Sequence, residues 1–313
     1  MSNDAPDGAT GAGHSRGFGV QKAPPGLTFI ATPIGAARDI TLRALDLLAT
    51  ADILVAEDTR SLRHLMDIHG IALGGRPLWS YHDHNGATAR PGILAALADG
   101  RSVVYASEAG TPLVADPGYQ LGRAAGEAGH PVTAAPGPSA VLAALTVSGL
   151  PSDRFLFAGF PPAAQGERRR WLAELGTVPA TVILYEAPQR VQRLLGELAD
   201  AWGEGRKAAL CRELTKRFEE IVRGTLGSLA RDFAGRTVKG EVVLVIDRPL
   251  VEKAAPEDLD AALRRALGSL RLRDAASAVA EELGLPRREV YQRALAMEQE
   301  AAGQEAAGKD DGE

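Results

Sequence analysis

The residues most able to do chemistry in this chain sit in short turns rich in Gly and Pro. They are Thr32-Pro33-Ile34-Gly35, Ser107-Glu108-Ala109-Gly110-Thr111-Pro112, Asp116-Pro117-Gly118, Pro136-Gly137-Pro138-Ser139 and Lys239-Gly240-Glu241. Gly lets a backbone take positive φ and approach a ligand closely. Pro fixes φ and removes a donor. Repeated along one chain, this chemistry builds rigid backbone walls around a small cofactor. Gly-x-Gly-x-x-Gly is absent after the first strand, and so is a Walker A sequence. His82 and His84 flank Asp83, but three adjacent residues do not converge on one ion without a distant ligand, so no metal is expected. Their loop position suits substrate contact or a hydrogen-bonded turn. Arg168, Arg169 and Arg170 open a basic helix that either touches phosphates or is a solvated face.

The elements that position these turns alternate. Leu27–Ala31 reads as a buried first strand, and Asp39 as the cap of a helix through Leu42, Leu45 and Leu48. Strands follow at 53–56, 77–81, 102–106 and 131–135. Helices are expected at 61–69, 89–97, 119–127 and 140–147, with Ser139 capping the last. The pattern predicts an α/β fold with a mostly parallel sheet covered on both faces. Gly149-Leu150-Pro151 marks a boundary. A second α/β half follows, with strands near 155–157, 181–185, 208–211 and 242–246. From Pro256 to Ala301 the pattern is helical. Helices at 275–283 and 287–295, joined by Gly284-Leu285-Pro286, resemble a small helix-turn-helix. The expected organisation is a disordered tail (1–25), two α/β domains (26–149 and 150–250), a helical extension (251–301) and a second disordered tail (302–313).

Composition bounds the class. The chain has 313 residues, 45% hydrophobic and 24% charged, as in an ordinary globular protein. Its single cysteine, Cys211, rules out an internal disulfide framework and fits a reducing cytoplasm. No apolar run has the length of a membrane span. The formal net charge of -5 argues against a general nucleic-acid coat, though not against local basic patches.

The turns also carry a resemblance. Ala31-Thr32-Pro33-Ile34-Gly35 with Asp39-Ile40-Thr41, then Ala56-Glu57-Asp58-Thr59-Arg60, resemble the opening of the ribosomal RNA small subunit methyltransferase I family. His82-Asp83-His84-Asn85, Ala109-Gly110-Thr111-Pro112-Leu113, Asp116-Pro117-Gly118, Pro136-Gly137-Pro138 and Gly149–Phe155 match further signatures in order. Tyr185-Glu186, Arg212–Lys216 and Lys239-Gly240-Glu241 complete a collinear match over about residues 27–295. One departure is Glu108, where the family usually has Asp; the carboxylate stays but is one methylene longer.

The resemblance implies a two-domain tetrapyrrole-methylase-like (class III) methyltransferase that uses S-adenosylmethionine. The implied reaction is 2′-O-methylation of a cytidine in the decoding region of 16S ribosomal RNA, free or within the small subunit. Ile34, Thr111, Val114, Ser139 and Ala140 should line the cofactor pocket from the first half, and Tyr185, Glu213 and Glu241 from the second. Gly35, Glu108, Gly110 and Pro136 belong to the same turns. Most of the rate should come from positioning. Asp58, Glu213 and Glu241 are candidates for a base, with Lys239 or Arg60 supporting developing charge. RNA contacts are expected at Arg60, His82, Arg168–Arg170 and Lys216. The family implies a homodimer. Two rival functions are a methylase acting on a tetrapyrrole and a non-catalytic RNA-binding assembly factor.

Overall fold

The computed structural model describes residues 19–82, 84–249 and 256–310. The first half alternates β1 (Gly26–Ile30), α1 (Leu42–Thr50), β2 (Ile53–Ala56), α2 (Thr59–Ile68), β3 (Leu78–Ser80), α3 (Gly86–Ala98), β4 (Ser102–Ala106), α4 (Tyr119–Glu127), β5 (Val132–Ala135) and α5 (Ala140–Ser148). Its strands form one sheet in the order β3-β2-β4-β1-β5. Every pairing in it is parallel, as expected.

The two-residue period of the strands divides their side chains between two cores. Ile30, Leu54 and Val104 face Leu47 and Leu48 of α1 and Leu62 and Met66 of α2. Leu27, Phe29, Val55 and Tyr105 face Ile93 of α3 and Leu121 of α4. Covered on both sides, the central strands β1, β2 and β4 are buried along their whole length and carry mostly apolar runs, whereas the edge strand β5 exposes Val132, Thr133 and Ala134. The expected cap Asp39 lies instead in a short 3-10 turn, and Thr41 caps α1 by accepting from the Ala44 N–H at 3.1 Å. Ser139 caps α5 as expected.

The second half contains β6 (Phe155–Gly159), α6 (Gln165–Gly176), β7 (Thr181–Glu186), α7 (Val191–Trp202), β8 (Lys207–Arg212), β9 (Glu220–Thr225), α8 (Leu226–Asp232) and β10 (Val242–Ile246). The sheet order is β6-β7-β10-β8-β9. Only β6 and β7, joined by a helix crossover, pair in parallel; the other pairings are antiparallel. The mostly parallel expectation, made for the first half, holds there; the second sheet is mixed. The short link between β8 and β9 can only make a hairpin. β9 had no sequence signal, because Glu220, Arg223 and Gly224 break its apolar pattern. Such charges are typical of an edge strand.

Both sheets belong to one compact unit, Met1–Arg248, and Pro249–Glu313 is a second. Within the first unit, α5 packs Val141, Ala144 and Leu145 against Ile183, Cys211, Val243 and Val245 of the second sheet. The second unit folds α9 (Pro256–Leu267), α10 (Leu272–Leu283) and α11 (Arg287–Asp310) around Leu263, Ala276, Val279 and Val290. Gly284, at φ 63°, supplies the left-handed turn between α10 and α11.

At both ends the described residues reach into the expected tails. Residues 1–18 lie outside the described residues, but Ala23 is buried and its N–H donates to Thr50 Oγ1 at 2.9 Å. A buried alanine with a paired N–H anchors that stretch to α1. At the other end α11 continues to Asp310, well past 301, because Ala, Gln and Glu are strong helix formers. Residues 311–313 lie outside the described residues.

Candidate active site

The turns beyond the carboxyl ends of β1, β4 and β5 are tied to one another. Thr32 and Gly110 exchange backbone hydrogen bonds at 3.0 and 2.9 Å. The Ser107 hydroxyl donates to the Gly110 carbonyl at 2.5 Å. Thr111 Oγ1 donates to the Pro138 carbonyl at 2.9 Å. Gly110 has φ 82°, and a Cβ there would sit 3.2 Å from Ile34 Cγ2. A branched residue is strained at that φ, so the glycine is a backbone requirement. In the next segment Leu113 and Ala115 also have positive φ, 70° and 62°, without being glycine. Strain of this kind clusters at ligand clamps.

These turns meet the second half across a cavity of about 390 Å³. Strand ends of an α/β sheet are where ligands bind. Of the expected cofactor residues, Ile34, Glu108, Gly110, Thr111, Val114, Ser139, Ala140, Tyr185 and Glu241 line it. Gly35, Pro136 and Glu213 do not. Gly35 packs instead on the 214–216 turn, where a Cβ would meet Lys216 Cγ at 2.5 Å and Thr215 Oγ1 at 2.7 Å. Asp116, Phe160, Glu186 and Val243 line the cavity and carried no individual sequence signal. Asp116-Pro117-Gly118 stood out only as a turn; burial of its carboxylate is a tertiary fact.

The cavity is acidic. Burial, then the neighbouring charges of Glu57 and Glu108, push the Asp116 carboxyl up to about 7. Its Oδ2 is buried with no hydrogen-bond partner among the described residues. Burial, then the Asp116 and Glu241 charges, push the Tyr185 hydroxyl up to about 12. The Tyr185 ring meets Phe157 and Phe160 edge-on at 4.8 and 5.5 Å. Glu186 is buried, and its Oε1 accepts from the Ala187 N–H and from Arg190 Nε, both at 2.7 Å.

The four expected catalytic residues separate. Asp58 caps α2, accepting from the Arg60 and Ser61 N–H groups at 2.7 and 3.3 Å. Those bonds hold its carboxyl below the usual range. It is not on the cavity wall. Lys239 is exposed, and its carbonyl accepts from Arg212 Nη1 at 3.1 Å. Glu213, at φ 52°, braces the turn beneath Glu241: its Oε1 accepts from the Glu241 N–H and from Lys216 Nζ, both at 3.0 Å. The first of these bonds, aided by Lys216, keeps the Glu213 carboxyl low. Lys216 Nζ also donates to Glu241 Oε2 at 3.0 Å. Burial pulls the Lys216 ammonium down, but its bonds to both carboxylates outweigh this and raise it. Only Glu241 of the four lines the cavity.

The expected RNA contacts separate as well. Arg60, Arg169 and Arg170 are exposed. His82 is half-buried in a turn, where its N–H donates to Asn85 Oδ1 at 2.8 Å. Arg168 is a correction: it is 2% exposed and forks onto Glu197 at 2.5 and 2.8 Å. On a helix, one residue of an Arg triplet points inward where its neighbours point out.

Known proteins agree with this architecture. A profile for tetrapyrrole (corrin/porphyrin) methylases matches residues 26–230, and one described as the RsmI C-terminal HTH domain matches residues 253–298. A Mesorhizobium japonicum protein named ribosomal RNA small subunit methyltransferase I is 47% identical, covering 87% of this chain and 92% of its own. A protein of that name from Xylella fastidiosa is 42% identical, covering 86% and 98%. One from Mycobacterium tuberculosis (strain CDC 1551 / Oshkosh) is 41% identical, covering 87% and 95%. Among solved structures, diphthine synthase superposes with a TM-score of 0.54 at 17% identity, covering 71% of this chain and 89% of its own. A cobalt precorrin-4 methyltransferase gives 0.53 at 20% identity, covering 71% and 94%. At those identities the structural likeness concerns the fold. From the profile match and the sequence relatives, the chain belongs to the tetrapyrrole methylase family, in the branch of the ribosomal RNA small subunit methyltransferase I proteins.

Proposed function

We propose that this protein methylates the ribose 2′-hydroxyl of a cytidine in the decoding region of 16S ribosomal RNA, using S-adenosylmethionine. The observation that carries the reading is the cavity itself, mostly apolar and rimmed by carboxylates, in a chain of this branch. Its residues fit the cofactor. Gly110 leaves space that a side chain would fill. Glu108, Asp116 and Glu241 favour a cation, and the cofactor carries a sulfonium charge. When bound, S-adenosylmethionine supplies an electrophilic methyl group. The chain's task is to hold both reactants in line and exclude water, the source of most of the rate. Ile34, Val114, Ala140 and Val243 form apolar wall for that purpose. Glu241, steadied by Lys216, is the expected catalytic residue best placed to meet the substrate.

The substrate is ribosomal RNA or the assembled small subunit, met in the cytoplasm by a homodimer. Among the described residues no helix is long and apolar enough to cross a membrane. The test is transfer of methyl groups to small subunits from cells lacking the gene, read by nucleoside mass spectrometry. A 2′-O-methylcytidine is expected. A methylated base, or methylation of a tetrapyrrole instead, overturns the reading. An RNA-binding assembly factor would bind no S-adenosylmethionine, so calorimetry separates that rival.

The basic helix makes a second prediction. With Arg168 buried, only Arg169 and Arg170 remain free to meet phosphates. Replacing both with Ala is expected to weaken RNA binding. The slope of log K against log salt should lessen by about 1 to 2, as each phosphate contact releases counterions. Cofactor affinity should stay unchanged. An unaltered RNA affinity and slope would make α6 a solvated face.

A further inference from the structure

The Asp116 carboxyl lines the cavity in surroundings that disfavour its ionised state. It lies after the strained stretch from Leu113 to Ala115. Its Oδ2 is buried and accepts no hydrogen bond among the described residues. Carboxylates approach it from two other elements: Glu57 at the end of β2 and Glu108 at the end of β4. From the second sheet it faces Tyr185, which also feels Glu241. A buried carboxyl with like charges around it favours its neutral form.

We propose that Asp116 discriminates between the methyl donor and the spent cofactor: it keeps its proton beside a neutral thioether and releases it beside a sulfonium cation. The inference rests on the cofactor part of the function proposed above. The donor and the spent cofactor differ by one methyl group and one positive charge. Apolar contacts to a single methyl discriminate weakly, by about 1–3 kcal/mol at most. A carboxylate within the same cavity reads the charge directly. The proton balance is simple. The acid Asp116–H ionises as the cation enters, and the proton passes to solvent. Methyl transfer frees the ribose hydroxyl's proton to solvent and leaves a neutral thioether in the site, and Asp116 takes a proton back from solvent. This reprotonation removes the carboxylate's attraction and favours release of the spent cofactor.

The sign follows from linkage. An acid that is half-ionised near pH 7 when the site is free, and fully ionised when a cation is bound, makes cation affinity rise with pH. Affinity should climb about eightfold between roughly pH 6 and 7.5 and then level off. Affinity for the neutral thioether should not follow that climb.

Calorimetry on the full chain, with S-adenosylmethionine and S-adenosylhomocysteine in buffers of different ionisation enthalpy, tests this without any turnover. Near pH 7 the donor is expected to release about half a proton per site, and the thioether none. Asp116→Asn should abolish the donor's proton release and flatten its pH dependence, leaving thioether affinity equal or higher. Glu108→Gln should move the wild-type midpoint to lower pH, because it removes a like charge. Equal proton release for both ligands, or an unchanged profile in Asp116→Asn, overturns the inference. Should Asp116→Asn fail to fold, the wild-type comparison of the two ligands still decides. Should neither ligand bind the wild type, the cofactor reading itself fails, which is a separate outcome.

Discussion

Arg168→Ala is expected to destabilise the protein by about 3–5 kcal/mol, the loss typical when one member of a buried ion pair is removed. The guanidinium ties two helices together. Nε and Nη2 fork onto Glu197 of α7, while Nη1 donates to the carbonyls of Pro162 and Ala163 at 3.0 and 2.8 Å. Alanine leaves a partly buried carboxylate and two carbonyls without those donors. Arg168→Lys should fall between, because an ammonium cannot reproduce the fork. Urea unfolding measures both. The pH dependence adds a sharper test. The hydrogen bonds from Arg168 hold the Glu197 carboxyl below its usual range, against an opposing effect of burial. A carboxyl lowered in the folded state contributes stability that is present above its unfolded value and lost as pH falls through its folded value. The gap between wild type and Arg168→Ala should therefore narrow in acid. A gap that stays constant down to about pH 3 would assign the loss to packing rather than to the pair. RNA affinity of the folded Arg168→Ala protein should match wild type, because the side chain does not reach the surface.

Gly110→Val is expected to cost affinity for S-adenosylmethionine about 100-fold, or about 2.7 kcal/mol. The residue lines the cavity at φ 82° and is pinned on both its N–H and its carbonyl by Thr32. It therefore cannot swing aside to seat a side chain. Any Cβ meets Ile34 Cγ2 at 3.2 Å, and the two methyl groups of valine extend further into the space. Valine at that φ also carries about 1–2 kcal/mol of backbone strain, which should appear as a lowered unfolding midpoint. Gly110→Ala should show most of the strain but a smaller loss of affinity. Calorimetry and thermal unfolding separate the two effects. A folded valine variant with wild-type affinity would show that the cofactor does not approach this turn.

Local patterns in the chain were enough to place its first sheet. The runs at 27–31, 53–56 and 102–106 are apolar except for Thr28 and Ser102, and strands buried on both faces need such runs. Gly and Pro after the runs at 27–31 and 102–106 mark where the backbone must turn, and the resemblance to the methyltransferase family, carried by those same motifs, pointed to Ile34, Glu108, Gly110, Thr111, Ser139 and Tyr185, which line the cavity. Strand runs and family motifs alike are read from residues that are neighbours along the chain. What escaped depends on neighbours across space. β9 is a strand because β8 offers it an edge, although its own residues mix charge with glycine. Asp58 and Glu213 carry carboxylates in promising motifs, yet one caps a helix and the other braces a turn, since the nearest unpaired N–H groups claimed them. Arg168 is indistinguishable in sequence from Arg169 and Arg170. Only the rotation of α6 against α7 turned it inward to Glu197. Asp116 reads as an ordinary turn residue. Its unusual chemistry exists because the ends of β2, β4 and β7 converge on it, bringing charges together that are distant in the chain. Electrostatic energy depends on separation and burial, and both are properties of the folded molecule.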